Sequence, residues 1–243
     1  MGTLKAKTIE PATGSTLTLG ASGDTVTVSS DSIKTNTFKD AGGNTLFTSD
    51  GAGTLSSVNS GLAGGGGPVL ISTHTASNAA SVDITSGIDS TYDEYMFVFT
   101  DVNPATTGSF AFQVNAAGQS GFNETVTTTR FNASHKEDDS ETELSYDTSS
   151  DQAQGTAGIR LCNVASGSDE SCAGILHLFN PASTTYVKHF YSRMSAYGDT
   201  DPDRYNQDAL VAGYINTTSA IDEITFLMIV GNFDGVIQMY GIA

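Results

Sequence analysis

Charge is scarce in this chain. Lysine and arginine number 10 and aspartate and glutamate 27 among 243 residues, so charged side chains make up 15%, against about 25% in an average soluble domain. Tryptophan is missing, cysteine occurs twice and proline five times. Apolar runs are short, and the longest, such as residues 226–230, fall far below the ~20 residues of a membrane-spanning helix, which excludes membrane insertion of that kind. A net charge of −17 argues against nucleic acid or an anionic membrane as partner, because phosphate recognition rests on Lys and Arg. The opening residues lack the roughly 7–15-residue apolar core of a secretory signal, so the chain is expected to work in the cell that makes it or to leave without secretion. Without a secretory route, Cys162 and Cys172 are not expected to form a disulfide. With no histidine cluster nearby they are also a poor zinc site, and they are read as packing residues on neighbouring strands.

What replaces charge is hydroxyl. Serine and threonine supply 28 and 32 residues, and glycine 26. The composition divides near residue 68. Residues 1–68 hold 13 of the glycines, four lysines and five acids; residues 69–243 hold the other 22 acids and six bases, a net charge of −16. Gly64, Gly65, Gly66, Gly67 and Pro68 mark the joint, since consecutive glycines are costly to hold in a regular element. The expected domains are a segment 1–63, a glycine linker 64–68 and a head 69–243.

The first segment repeats with a period of 29 residues: Leu4 aligns with Ile33, Thr8 with Thr37, Ile9 with Phe38, Gly14 with Gly43, Leu17 with Leu46 and Val26 with Leu55. Each copy reads as three short strands separated by turns, with period-two alternation clearest at Leu17, Leu19, Val26 and Val28. Leu4, Ile9, Leu17, Leu19, Val26, Val28, Ile33, Phe38, Leu46 and Leu55 make a stripe too thin for a core, and two copies are fewer than repeat folds need. Such a stripe is expected to be covered by other copies of the chain or by a docking surface, as in a shaft or anchor.

Residues 69–243 read as strand after strand: 69–73, 95–100, 109–114, 126–131, 157–162, 174–179, 185–191, 209–215, 223–230 and 235–242. β-Branched and aromatic residues fill these runs, and Asn, Gly, Asp and Ser fill the gaps. No stretch keeps a helical period, so the expectation is all-β, with a sandwich or jelly-roll head.

Catalytic patterns are absent. There is no nucleophile elbow, phosphate loop or paired-histidine spacing, and His74, His135, His177 and His189 read as surface or satisfied core residues. Two acidic clusters, residues 137–143 and Asp199, Asp201 and Asp203, have some flavour of a calcium loop, but the ligand spacing of a helix–loop–helix calcium site is missing. They read as solvated loops, with no metal, cofactor or active site expected. Exposed tyrosine offers an apolar face beside a hydroxyl, which suits sugars or protein partners. Tyr197 and Tyr205, flanking the acidic loop at 198–203, are therefore the candidate contact residues together with Asp199, Asp201 and Asp203.

These features carry a resemblance. Leu4-Lys5-Ala6-Lys7-Thr8-Ile9, followed by the Gly14–Val26 turn-and-strand pattern, resembles the N-termini of bacteriophage virion fibre proteins, especially those of marine tailed phages. The segments 88–95, 178–186 and 229–242 are similar to the β-sandwich heads of such fibres. The resemblance implies a homotrimer on the virion, assembled in the host cytoplasm and attached to capsid, portal-tail or adaptor proteins by its N-terminal segment. It further implies a head that faces outward, which is expected to contact host-surface glycan through its loop tyrosines and polar residues. A capsid or tail decoration without receptor binding is the alternative, and a polysaccharide depolymerase using the acidic clusters is a more distant one.

Overall fold

The computed structural model describes residues 35, 37–40, 42–52, 55–58, 67–200 and 203–242, and of residues 56, 57, 199, 200 and 203 the backbone alone. The chain divides into two units, Met1–Ala63 and Gly64–Ala243. The described part is all-β, and among the described residues no helix is long and apolar enough to cross a membrane.

In the first unit β1 (Thr37–Lys39), β2 (Thr45–Ser49) and β3 (Leu55–Val58) form an antiparallel sheet in that order. The turn between β1 and β2 is closed by Asp40, whose carboxylate accepts the Asn44 backbone N–H at 2.8 Å and side-chain amide at 2.9 Å. These bonds hold the Asp40 carboxyl below its ordinary range. Gly43 sits there at φ +86°, a conformation that glycine adopts without strain. Phe38 and Phe47 stack at 4.5 Å and Leu46 is half-buried, but Leu55 and Val58 stand 52% and 40% exposed. Leu4, Ile9, Leu17, Leu19, Val26, Val28 and Ile33 lie outside the described residues, and with them the first copy of the repeat.

The second unit contains β4 (Val69–Ala79), β5 (Ser81–Ile84), β6 (Glu94–Pro104), β7 (Gly108–Ala116), β8 (Val126–Lys136), β9 (Thr142–Tyr146) and β10 (Gln152–Gly155), then β11 (Ile159–Val164), β12 (Cys172–Phe179), β13 (Lys188–Thr200), β14 (Asp203–Ile215), β15 (Ile221–Met228) and β16 (Phe233–Ile242). Each run read as a strand from its apolar residues falls wholly or partly on one of these. A wide sheet runs β10-β8-β14-β13-β12-β6-β16-β4, with β9 also on β8, and a small sheet runs β11-β7-β15-β5. Every pairing is antiparallel.

Aromatic packing joins the sheets. Phe226 of the small sheet lies 5.3 Å from Phe97 and 5.1 Å from Phe99 of the wide one, and Phe112 meets Phe190 at 5.1 Å. Leu176, Leu178, Met194, Ala209, Val211, Ile237 and Met239 complete the wide sheet's buried inner face. β7 is buried on both faces, and its Gln113 side chain donates to the carbonyls of Glu124 and Thr156 at 3.2 Å each, tying the flanking loops over the small sheet. Cys162 and Cys172 are free and buried, on consecutive strands that belong to opposite sheets. Hydrogen bonding to Cys162, then burial, pushes the Cys172 thiol well above its ordinary value.

Removing the ring at the centre of this contact leaves a void between sheets. Phe226→Ala is expected to lower the free energy of unfolding by about 3–5 kcal/mol, whereas Leu144→Ala, at a side chain 74% exposed, is expected to change it by less than about 0.5 kcal/mol. Urea denaturation of the two variants checks both.

Candidate functional site

Register defines the two ends of the second unit. Val69 pairs with Gly241, Gly241 with Tyr95, Tyr95 with Leu178, and Leu178 with Phe190, so the chain enters at the Phe190 level of β13. From there β13 continues ten residues to Thr200, roughly 33 Å at the ordinary strand rise of about 3.3 Å per residue. The β13–β14 hairpin tip and the turn from β8 to β9 therefore share the end remote from the point of entry. They touch: the Glu137 N–H donates to the Arg204 carbonyl at 3.0 Å. The two acidic clusters, separate in sequence, converge here.

The segment expected to be an acidic loop at 198–203 is instead the end of a hairpin. Gly198 pairs with Tyr205, Asp199 with Arg204 and Thr200 with Asp203, so Asp199 and Asp203 are strand residues, while Asp201 lies outside the described residues. Among the described residues no group of three His, Cys, Asp or Glu side chains is gathered closely enough to hold a metal ion.

Tyr197 and Tyr205 are not brought together. On β13 the buried residues are Lys188, Phe190, Ser192, Met194, Ala196 and Gly198, which leaves His189, Tyr191, Arg193, Ser195 and Tyr197 on the outer face. On β14 Tyr205 is in phase with buried Gln207, Ala209 and Val211 and so belongs to the inner face. Its ring lies over Gly198, where any β-carbon would intrude on the ring, and this close approach is what requires glycine at 198.

Each tyrosine borders a recess. On the outer face, a groove of about 390 Å³ over Ile175, Arg193, Ser195, Asn206 and Asp208 adjoins one of about 470 Å³ bordered by Tyr197, His135 and Glu137; both are floored by Ala173 and Ser195. Arg193 grips Asp208 with Nε at 3.0 Å and Nη2 at 2.6 Å, and this holds the Asp208 carboxyl below its ordinary range. Loss of surrounding water and then the Glu137 and Glu170 carboxylates push the Tyr197 hydroxyl up, against the opposing charge of Arg204. On the inner face, Asn132, Ser134, Lys136, Glu141, Glu143, Ser145, Tyr205 and Gln207 surround a smaller recess of about 200 Å³. Lys136 Nζ reaches Glu141 at 2.8 Å, and Asn132 Oδ1 is buried with no hydrogen-bond partner.

Behind the inner recess sits a buried ion pair. Arg130, fully buried, lies 3.0 Å from Asp147 and donates from Nη2 to the Gln207 carbonyl at 3.5 Å; that carbonyl also accepts the Asn163 backbone N–H at 3.0 Å. Burial pushes the Arg130 guanidinium down from its ordinary value. Burial alone would raise the Asp147 carboxyl, but hydrogen bonds from Ser149 and Ser150 and the Arg130 charge outweigh it and hold the group below 3.8.

His177 is satisfied, as its sequence context suggests: it pairs with Glu94 and stacks on Tyr191 at 4.7 Å. Sequence inspection missed Arg193, Asp208, Asn132 and Gln207. A usable signal exists for the first two, because a hairpin turning near residue 201 puts Arg193 beside Asp208. For Arg130 the signal is a charge in phase with Val126 and Thr128 along β8.

A carboxyl depressed by folding stabilises fully above its ordinary pKa and loses that contribution as pH falls through the lower folded value. Urea denaturation at several pH values is therefore expected to show that the stability lost as pH falls below the ordinary carboxylate range is smaller in Asp147→Asn than in the wild type. At neutral pH the same variant leaves Arg130 buried without its counter-charge and is expected to be less stable by about 3–5 kcal/mol. Compared with known proteins, the chain matches no family model, no curated protein and no solved structure.

Proposed function

We propose that the chain is a structural fibre protein of a bacteriophage virion, a homotrimer attached through its N-terminal segment, whose head binds host-surface glycan. The observation that carries this reading is the convergence of two hairpin turns at the end of the second unit remote from chain entry. Beside them lie recesses lined with tyrosine, amide, hydroxyl and carboxylate groups. Sugars are recognised by this combination, a ring face for their C–H groups and planar polar groups for their hydroxyls.

The strand order supports a jelly-roll head. Numbering β4, β5, β6, β7, β11, β12, β15 and β16 from one to eight, one sheet has the order 1-8-3-6 and the other 2-7-4-5. Two interlocked Greek keys have this order. The remaining five strands widen one sheet only. In the first unit, the exposed Leu55 and Val58 on a three-stranded sheet are apolar surface that partner copies would cover. Three linked heads would also turn a weak sugar contact into firm attachment.

In sedimentation equilibrium the chain is expected to run at three times its 25.2 kDa mass; a folded monomer at micromolar concentration would overturn the trimer. Antibodies against the head are expected to label virions and block adsorption. Unlabelled particles would remove the fibre reading, and labelled particles that still adsorb would turn it into decoration without receptor binding.

A further inference from the structure

We infer that the inner recess between β8, β9 and β14 holds one neutral sugar residue. The inference rests on the glycan-attachment reading and assigns it a site on the face opposite Tyr197.

The first argument is where the recess lies. The small sheet's edge strand β11 packs over β13 and β14, and β8 and β9 lie beyond β14 in the wide sheet. Where the wide sheet is covered, its inner face is mostly Phe, Leu, Met, Val and Ala, with Ser192 and Gln207 among the buried polar exceptions. Beyond that cover the same alternation continues with Asn132, Ser134 and Lys136 on β8 and Glu143 and Ser145 on β9. A face that simply awaited another protein layer would keep its apolar residues. A polar, concave ledge instead suits a small hydrophilic ligand.

The second argument is unmet bonding capacity. Asn132 Oδ1 is buried and accepts nothing, and a buried acceptor without a donor is unfavourable. A ligand hydroxyl supplies the missing hydrogen when the Asn132 amide turns into the recess that the residue lines. Glu143 accepts a second hydroxyl, the rotatable Ser134 and Ser145 hydroxyls donate or accept, and Tyr205, held over Gly198, presents a ring.

Size and charge narrow the ligand further. About 200 Å³ is below the ~300–1,000 Å³ of pockets for drug-sized molecules, so the recess suits a single ring. Lys136 is matched by Glu141, and Glu143 leaves the lining negative. Uronic acids, sialic acids and phosphorylated sugars are therefore disfavoured, and the neighbouring Glu137, Asp138 and Asp139 add to their repulsion.

Calorimetric titration of the full chain with glucose, galactose and N-acetylglucosamine, and with glucuronate as the acidic control, tests this. At least one neutral sugar is expected to bind with a millimolar Kd and glucuronate to bind more weakly. Asn132→Ala and Glu143→Ala are each expected to weaken binding roughly tenfold, about one hydrogen bond's effect, with unchanged circular dichroism. Glu143 is exposed, so its variant tests the recess even if Asn132→Ala misfolds. Arg193→Ala, in the outer groove, is expected to leave binding unchanged. Binding by none of the three neutral sugars, equal binding by the recess variants, or loss of binding in Arg193→Ala would each overturn the assignment. Blocking of phage adsorption by the free wild-type chain is read separately. If it blocks and Glu143→Ala blocks equally, the recess assignment falls while glycan attachment stands; if it does not block, the attachment reading falls and the titration alone decides the recess.

Discussion

The second unit depends on the contact between the inner faces of two sheets of unequal width, with Phe226 at its centre. Its ring lies within 6.3 Å of the rings of Phe97, Phe99, Phe110 and Phe112. Edge-on and tilted ring pairs of this kind add to the burial of their area, and close packing makes the spacing intolerant of change. Once that contact is set, most inner-facing residues are apolar where the other sheet covers them and polar where it does not.

Unequal width is the source of the molecule's polar features. Four strands cannot cover nine, so the inner face of the wide sheet passes from phenylalanine and methionine under the small sheet to asparagine, serine and glutamate beyond it. Charges at the boundary are held by specific partners: Arg130 by Asp147, and Lys188 by the carbonyls of Tyr186 and Thr217 at 3.0 and 3.2 Å. A buried ammonium or guanidinium is costly without such partners, and Arg130 is only partly satisfied: Asp147 supplies the counter-charge and Gln207 accepts from Nη2, while Nε and Nη1 make no hydrogen bond. Such groups add little net stability and would make a sheet shifted by one residue costly, because the charge would then face the wrong side.

The outer face follows another logic. Near its centre, Arg193 forms an ion pair with Asp208 and the His177 ring hydrogen-bonds with Glu94. Acids of the second unit gather instead in the turns at the end remote from Val69, around 137–143 and the β13–β14 tip. This leaves an acidic rim around recesses of hydroxyl and amide groups, whose field repels anions.

The all-β class and most strands were legible in the sequence, because period-two apolar alternation and turn residues are local signals. Strands β5, β9 and β10 were not: they are short, and Leu144 and Tyr146 of β9 stand among acids that read as a loop. Tyr197 and Tyr205 were legible as surface aromatics beside an acidic segment, and both do border recesses. That they belong to opposite faces was not, since it depends on Asp199 and Asp203 continuing the ladder instead of breaking it. The sequence by itself therefore determined the element type and the uneven charge, properties of near neighbours along the chain. Only the tertiary structure decided which strands lie side by side and which face each residue takes. Pairing partners such as Tyr95 and Gly241 are far apart in sequence, and a one-residue change of register would exchange the inner and outer faces of a strand.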